Sequence, residues 1–277
     1  MIPQFSMMIS ANPRMEFQTE LFIRSLELFG ECSHYFFDLF IPDTDTIRNS
    51  YIRKKVKIHE YKYNYNFLHP WIAAQPRWNI IPKSKICILA DSDILITSKI
   101  EKILDYCAEP GFYACIANDP PFSLEEWRRV LYIFGLDLPE KMYFYKSCCG
   151  DFQGDKNKSV CPFYPNYGFV VVHSKYIEDI KKTLTKVVTK LNETHKDNYY
   201  MPQFAITIAL QLLQIPTYLL PNDFNYITHY NYKSPILIRN MAVCHYNHTS
   251  KCINDLKYHD KLYEFALKLC SNSIKLL

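Results

Sequence analysis

Five apolar residues in a row, Ile86-Cys87-Ile88-Leu89-Ala90, run directly into Asp91-Ser92-Asp93. A strand with one wet face alternates apolar and polar residues; a strand without alternation is buried on both faces. Such a strand needs a packed layer on each side. The other apolar runs alternate along the chain with helical patterns, and together they predict an α/β domain with a mostly parallel sheet flanked by helices. Ligands of open α/β sheets bind beyond the carboxyl ends of the strands. The acidic triplet therefore stands where a site is expected.

Predicted strands cover 5–10, 35–41, 56–61, 85–90, 112–117, 169–173, 217–220 and 242–246. Predicted helices open at Asn12-Pro13, at 67–78 with an interruption at Pro76, near Leu124, and over 176–191, 203–213 and about 262–269. Residues 137–165 read as an irregular insertion. No linker or repeat divides the chain, so 1–277 is expected to be one domain, with a nucleotide- and metal-binding half to about 135 and an acceptor half after it.

Composition excludes several functions. The chain has 6 glycines in 277 residues, and no two are separated by a single residue. The G-x-G-x-x-G dinucleotide fingerprint and the Walker A loop need close glycines to cradle phosphate, and both are ruled out. A net charge of +4 is too small for a nucleic-acid binder. The one dense basic run, Arg53-Lys54-Lys55-Val56-Lys57, reads as a solvated strand edge. No apolar stretch reaches the 18 or so residues of a membrane span, and no secretory signal opens the chain. A cytoplasmic protein with buried free thiols is the expectation. Cys148, Cys149, Cys161, Cys244, His248 and Cys252 fit none of the usual zinc spacings.

A D-x-D pattern alone says little. With 15 aspartates in the chain, chance gives about 0.8 such pairs. A second copy, Asp43-Thr44-Asp45, follows strand two and reads as turn chemistry. Asp91 and Asp93 differ in context. On an extended chain, residues i and i+2 point the same way, so both carboxylates could face one hard cation. Hard divalent ions take such oxygen ligands and commonly bridge them to phosphates.

The segment Ile86–Ile96 resembles the metal-binding strand of GT-A glycosyltransferases, and glycosyltransferase family 8 fits best. Three later segments follow in the family's order. Pro165-Asn166-Tyr167-Gly168-Phe169 is similar to its F-N-[AS]-G strand. Tyr199-Tyr200-Met201-Pro202-Gln203-Phe204 is similar to its D-Q-D-x-L-N helix start and keeps the Gln. His245-Tyr246-Asn247-His248-Thr249-Ser250-Lys251 is similar to H-[FY]-x-G-x-x-K, with the same step from His to Lys. Pro202 and Phe204 replace acidic residues of the pattern, and His248 replaces its glycine.

The resemblance implies a GT-A, Rossmann-like fold and a retaining transfer from a nucleotide sugar, a UDP-sugar, to a hydroxyl of a glycan or other acceptor. It implies Mn²⁺ or Mg²⁺ on Asp91, Asp93 and His245. Gln203 would lie beside the anomeric carbon, and Lys251 would contact the donor diphosphate. Asn12, Arg14, Arg77, Ser92 and Asn166 complete the implied donor contacts. Asp119 is either a sugar-hydroxyl ligand or a turn former. The rival readings are an inverting enzyme, with Asp119, Asp151 or Asp197 as base, and a non-catalytic nucleotide-sugar or glycan binder of the same fold. A sugar-1-phosphate nucleotidyltransferase would want glycine in Ser10-Ala11-Asn12-Pro13, which has none.

Overall fold

The structure, a computed structural model, describes residues 1–62, 75–117, 122–144, 160–195, 200–221, 224–227 and 243–245. The first half holds β1 (Gln4–Met8), α1 (Pro13–Leu28), β2 (Phe36–Pro42), α2 (Ser50–Lys55) and β3 (Lys57–Tyr61). A 3₁₀ turn (Gln75–Asn79), β4 (Ile86–Ala90), β5 (Ile94–Ile96), α3 (Glu101–Tyr106), β6 (Phe112–Ile116) and α4 (Leu124–Tyr132) follow. The second half adds β7 (Tyr143–Phe144), β8 (Val160–Cys161), β9 (Pro165–His173), α5 (Ile177–His195), α6 (Met201–Leu212), β10 (Thr217–Leu219), β11 (Tyr226–Ile227) and β12 (Val243–His245).

The main sheet has seven strands in the order β10-β6-β9-β4-β1-β2-β3. Only β9 runs against the rest, pairing antiparallel with both β4 and β6. Hydrophobic pattern carries no strand direction, so this reversal was not predictable from it. β4 is buried at every position, and the reason is visible in the packing. Cys87 and Leu89 face a core formed with α4, α5 and α6, through Trp127, Leu184, Phe204 and Ile208 among others. Ile86, Ile88 and Ala90 face a second core that holds Phe22, Ile23 and Leu26 of α1 and Ile103 of α3. Val170 and Val172 of β9 join the first core, and Phe169 and Val171 join the second. Each fully buried aliphatic or aromatic side chain contributes about 1.5–3 kcal/mol, so the two-sided strand is the centre of the fold.

Helix α1 starts as its sequence dictates. Asn12 is the N-cap in extended conformation and accepts from the Met15 amide at 3.0 Å, with Pro13 in the first turn. Acidic side chains then pin the helix to the loop after β2: Glu16 accepts from the amides of Arg48 and Asn49, and Glu20 from the Asn49 side chain. Asp45 does more than shape its turn, because it accepts from the Ala11 amide at 2.7 Å.

Other expectations shift. Arg53, Lys54 and Lys55 form the last turn of α2 instead of a strand edge, where cations favour the carbonyl end of the helix dipole. Pro76 lies in a 3₁₀ turn; the rest of the expected aromatic helix and the closing helix near 262–269 fall outside the described residues. The irregular insertion contains the antiparallel β7–β8 pair, and β9 starts at Pro165, earlier than expected. Cys32, Cys87 and Cys107 are buried free thiols, and Cys115 and Cys161 are buried as well. Among the described residues, no helix is long and apolar enough to cross a membrane.

Candidate metal centre and donor site

The chain turns from β1 to β2 on one side of the sheet and later enters β4 on the other. The carboxyl ends of β1 and β4 therefore flank a topological switch point, the place where open α/β sheets bind ligands. Asn12 follows β1 there, and Asp91 follows β4. Ser92 and Asp93 form a turn instead of the expected extended strand, and β5 begins at once. The two carboxylates still converge. The Asp91 amide donates to the Gly168 carbonyl of β9 at 2.8 Å, which fixes the end of the strand.

The third group comes from far along the chain. β12 pairs antiparallel with β5 and places His245 opposite Ile94, next to Asp93. His245 Nε2 lies 3.4 Å from Asp93 Oδ1, and both side chains are buried. One ligand atom from each of Asp91, Asp93 and His245 can be chosen so that all lie within 4.8 Å of one another. Donors on one cation at about 2.1–2.2 Å stand at most about 4.4 Å apart, so a shift of a few tenths of an ångström closes the site. Carboxylates with one imidazole suit Mn²⁺ or Mg²⁺. Among the described residues no other group of His, Cys, Asp or Glu has this arrangement.

Electrostatics point the same way. Burial pushes the Asp91 carboxyl above its usual range; Arg77 opposes the shift and the nearby charge of Asp93 reinforces it. The Asp91 side chain nonetheless stays 47% exposed. Burial resists charging His245, but the Asp93 and Asp91 carboxylates outweigh it and raise the imidazole above its ordinary value. The carboxylate pair attracts positive charge from whichever group is near.

Arg77 supplies part of that charge. Its side chain is 2% exposed and donates to Asp91 Oδ1 at 2.8 Å. It also donates to the Tyr167 carbonyl at 2.7 Å and stacks 4.1 Å over the Tyr167 ring. Trp78 donates to the Tyr167 hydroxyl. Arg77 thus sits behind Asp91 as part of the wall.

Five more of the expected residues lie within the described segments. Ser92 is buried and donates to Gln18 Oε1 at 3.0 Å. Asn12 is exposed at its cap, and Arg14 is half-buried in the first turn of α1. Asn166 Oδ1 accepts from the Gly168 amide at 3.0 Å. Gln203 lies in the first turn of α6, and its Oε1 is buried with no hydrogen-bond partner among the described residues. Asp119, Asp151, Asp197, His248 and Lys251 fall outside the described residues. Sequence reasoning missed Gln18, Tyr167 and Gly168 as parts of the site. Tyr167 and Gly168 lie within a matched motif, but the partners that give them roles are distant in sequence.

The sheet and its likeness to solved structures give the chain the GT-A glycosyltransferase fold. Among solved structures it is similar to the galactosyltransferase LgtC, solved in complex with donor and acceptor sugar analogs. That match has a TM-score of 0.58 and 14% identity, and covers 96% of this chain and 95% of the other. It is also similar to the glycosyltransferase GlyE of Streptococcus pneumoniae (TM-score 0.55, 13% identity), over 98% of this chain and 63% of that one. A third match is mouse xyloside xylosyltransferase 1 (TM-score 0.51, 11% identity), over 89% and 97%. No protein-family model matches the chain, and no curated protein matches its sequence.

Proposed function

We propose that the protein is a metal-dependent glycosyltransferase that moves a sugar from a nucleotide sugar, a UDP-sugar, to a hydroxyl acceptor with retention of configuration. The observation that carries this reading is the convergence of Asp91, Asp93 and His245 at the switch point of a GT-A sheet. These three side chains would hold Mn²⁺ or Mg²⁺. When bound, the ion supplies Lewis-acid stabilisation of charge on the departing diphosphate.

The chain's own groups do the rest. Arg77 keeps Asp91 oriented through its 2.8 Å bond. Lys251 adds positive charge toward the leaving diphosphate. Asn12, Arg14, Ser92 and Asn166 line the donor side, and Asp119 accepts from a sugar hydroxyl. The acceptor oxygen bonds to the anomeric carbon as the bond from that carbon to the diphosphate oxygen breaks, and the acceptor's proton leaves with the diphosphate. Gln203 stands at the reacting face, and its unpartnered buried oxygen supports that role. In this reading residues 1–135 carry the nucleotide, and 136–277 carry the acceptor side and lend His245 to the metal.

The test is release of UDP from UDP-glucose or UDP-galactose with added Mn²⁺. EDTA should stop it reversibly. Asp91→Ala and Asp93→Ala should each lower turnover by about 10²-fold or more while the folded protein persists. Full turnover in EDTA would exclude this mechanism. An α-linked donor should give an α-linked product by anomeric proton NMR, and a β-linked product would mean inversion.

A further inference from the structure

We propose that Gly168 is a positioning residue for the metal centre: its missing side chain is the seat of the His245 imidazole. The inference rests on the metal reading above and adds a residue whose role no ligand list contains. A Cβ built on Gly168 would lie 2.4 Å from His245 Cε1 and 2.9 Å from His245 Nδ1. Real Cβ contacts are essentially never that short. The backbone of Gly168 is not in the left-handed region that favours glycine. Alanine would fit its dihedral angles, and the constraint is space alone.

Something must move when that space is filled, and the surroundings decide what. The Gly168 amide donates to Asn166 Oδ1 at 3.0 Å. Its carbonyl accepts from the Asp91 amide at 2.8 Å. The residue lies one position beyond the Ala90–Phe169 pair of the central β4–β9 ladder. Gly168 is thus tied on both sides within the sheet. His245 is carried by the three-residue strand β12, on the small sheet with β5. The imidazole is the group that yields. Its displacement carries Nε2 away from Asp93 Oδ1, now 3.4 Å distant, and opens the ligand set. Metal sites tolerate only about 0.2 Å in ligand distance, and loss of residues that orient a ligand typically costs about 10–100-fold in affinity. The same glycine thus binds the Asp91 end of the site through its carbonyl and admits the His245 end through its missing Cβ.

The experiment is a double-mutant cycle on the whole chain: wild type, Gly168→Ala, His245→Ala and the double variant. Mn²⁺ affinity is read by titration calorimetry without nucleotide, and thermal unfolding is followed in EDTA. Gly168→Ala should weaken Mn²⁺ binding about 10–100-fold and lower the melting temperature. In the His245→Ala background the added methyl has no ring to meet and keeps only a 3.2 Å approach to Asn166 Oδ1, which a few tenths of an ångström relieves, so any further fall in either quantity should be small beside the effect in wild type. If Gly168→Ala does not fold alone, folding of the double variant supports the proposal, and failure of the double variant overturns it. Additive losses, or unchanged Mn²⁺ affinity in Gly168→Ala, would overturn it while leaving the metal reading in place. A wild-type protein that binds no Mn²⁺ would remove the metal reading and this proposal with it.

Discussion

His245 and Asp91 take up protons more readily in the metal-free fold than free side chains do, and a metal must displace those protons. Mn²⁺ affinity should therefore rise with pH up to the raised His245 value, which lies above the ordinary imidazole value near 6.5, and level off beyond it. The sign for stability is opposite. A raised folded-state value stabilises below the unfolded value and is lost as pH climbs through the folded one. Melts in EDTA should thus show a His245 contribution that fades above about pH 6.5 and is missing from His245→Ala. Equal pH slopes for the two proteins would contradict this. Burial pushes the Cys87 and Cys107 thiols up to about 12, with Asp38 reinforcing the effect at Cys87. Both should resist iodoacetamide at pH 8 until denaturant is added, as read by peptide mass mapping. Asp45→Ala removes the bond to the Ala11 amide and should cost about 1 kcal/mol or somewhat more. Exposed Asp43→Ala should stay within about 0.5 kcal/mol of wild type in urea.

Short elements and long-range pairings set what could be read in advance. Ser123 and Glu126 form a capping box on α4, a signal written within four residues. Ser123→Ala should lower stability by about 1 kcal/mol and leave Mn²⁺ affinity unchanged, since among the described residues the Ser123 side chain bonds only within its own cap; a loss in Mn²⁺ binding would contradict that separation. The start of α1 at Asn12-Pro13 and the buried strand β4 were legible for the same local reason. Helices α2 and α3 span six residues each, too short to show a 3.6-residue period. The reversal of β9 was hidden because burial pattern is the same in either direction. Asp91 and Asp93 were legible as a pair at a strand end, though their turn geometry was not. Nothing local joins His245 to Ile94; only the family resemblance linked that histidine to the carboxylates. Arg77 was expected at the donor, and its burial between Asp91 and Tyr167 depends on a fold that brings distant segments together.

At the scale of the molecule, one sheet separates two hydrophobic cores and gathers the functional groups at the β1/β4 carboxyl edge. The fold alone is shared by enzymes with many donors and acceptors, whereas metal-dependent transfer from a nucleotide sugar needs the metal and the nucleotide to act together at this edge. Thermal unfolding with UDP, Mn²⁺, both and neither tests it most directly. A ligand that binds only the native state at 100 times its dissociation constant adds about 2.7 kcal/mol of stability. UDP with Mn²⁺ should raise the melting temperature by more than the sum of the two separate shifts, and by more than ADP, CMP or GDP with Mn²⁺. Asp93→Ala should abolish the excess. Equal UDP shifts with and without Mn²⁺, or an excess that survives in Asp93→Ala, would contradict the account.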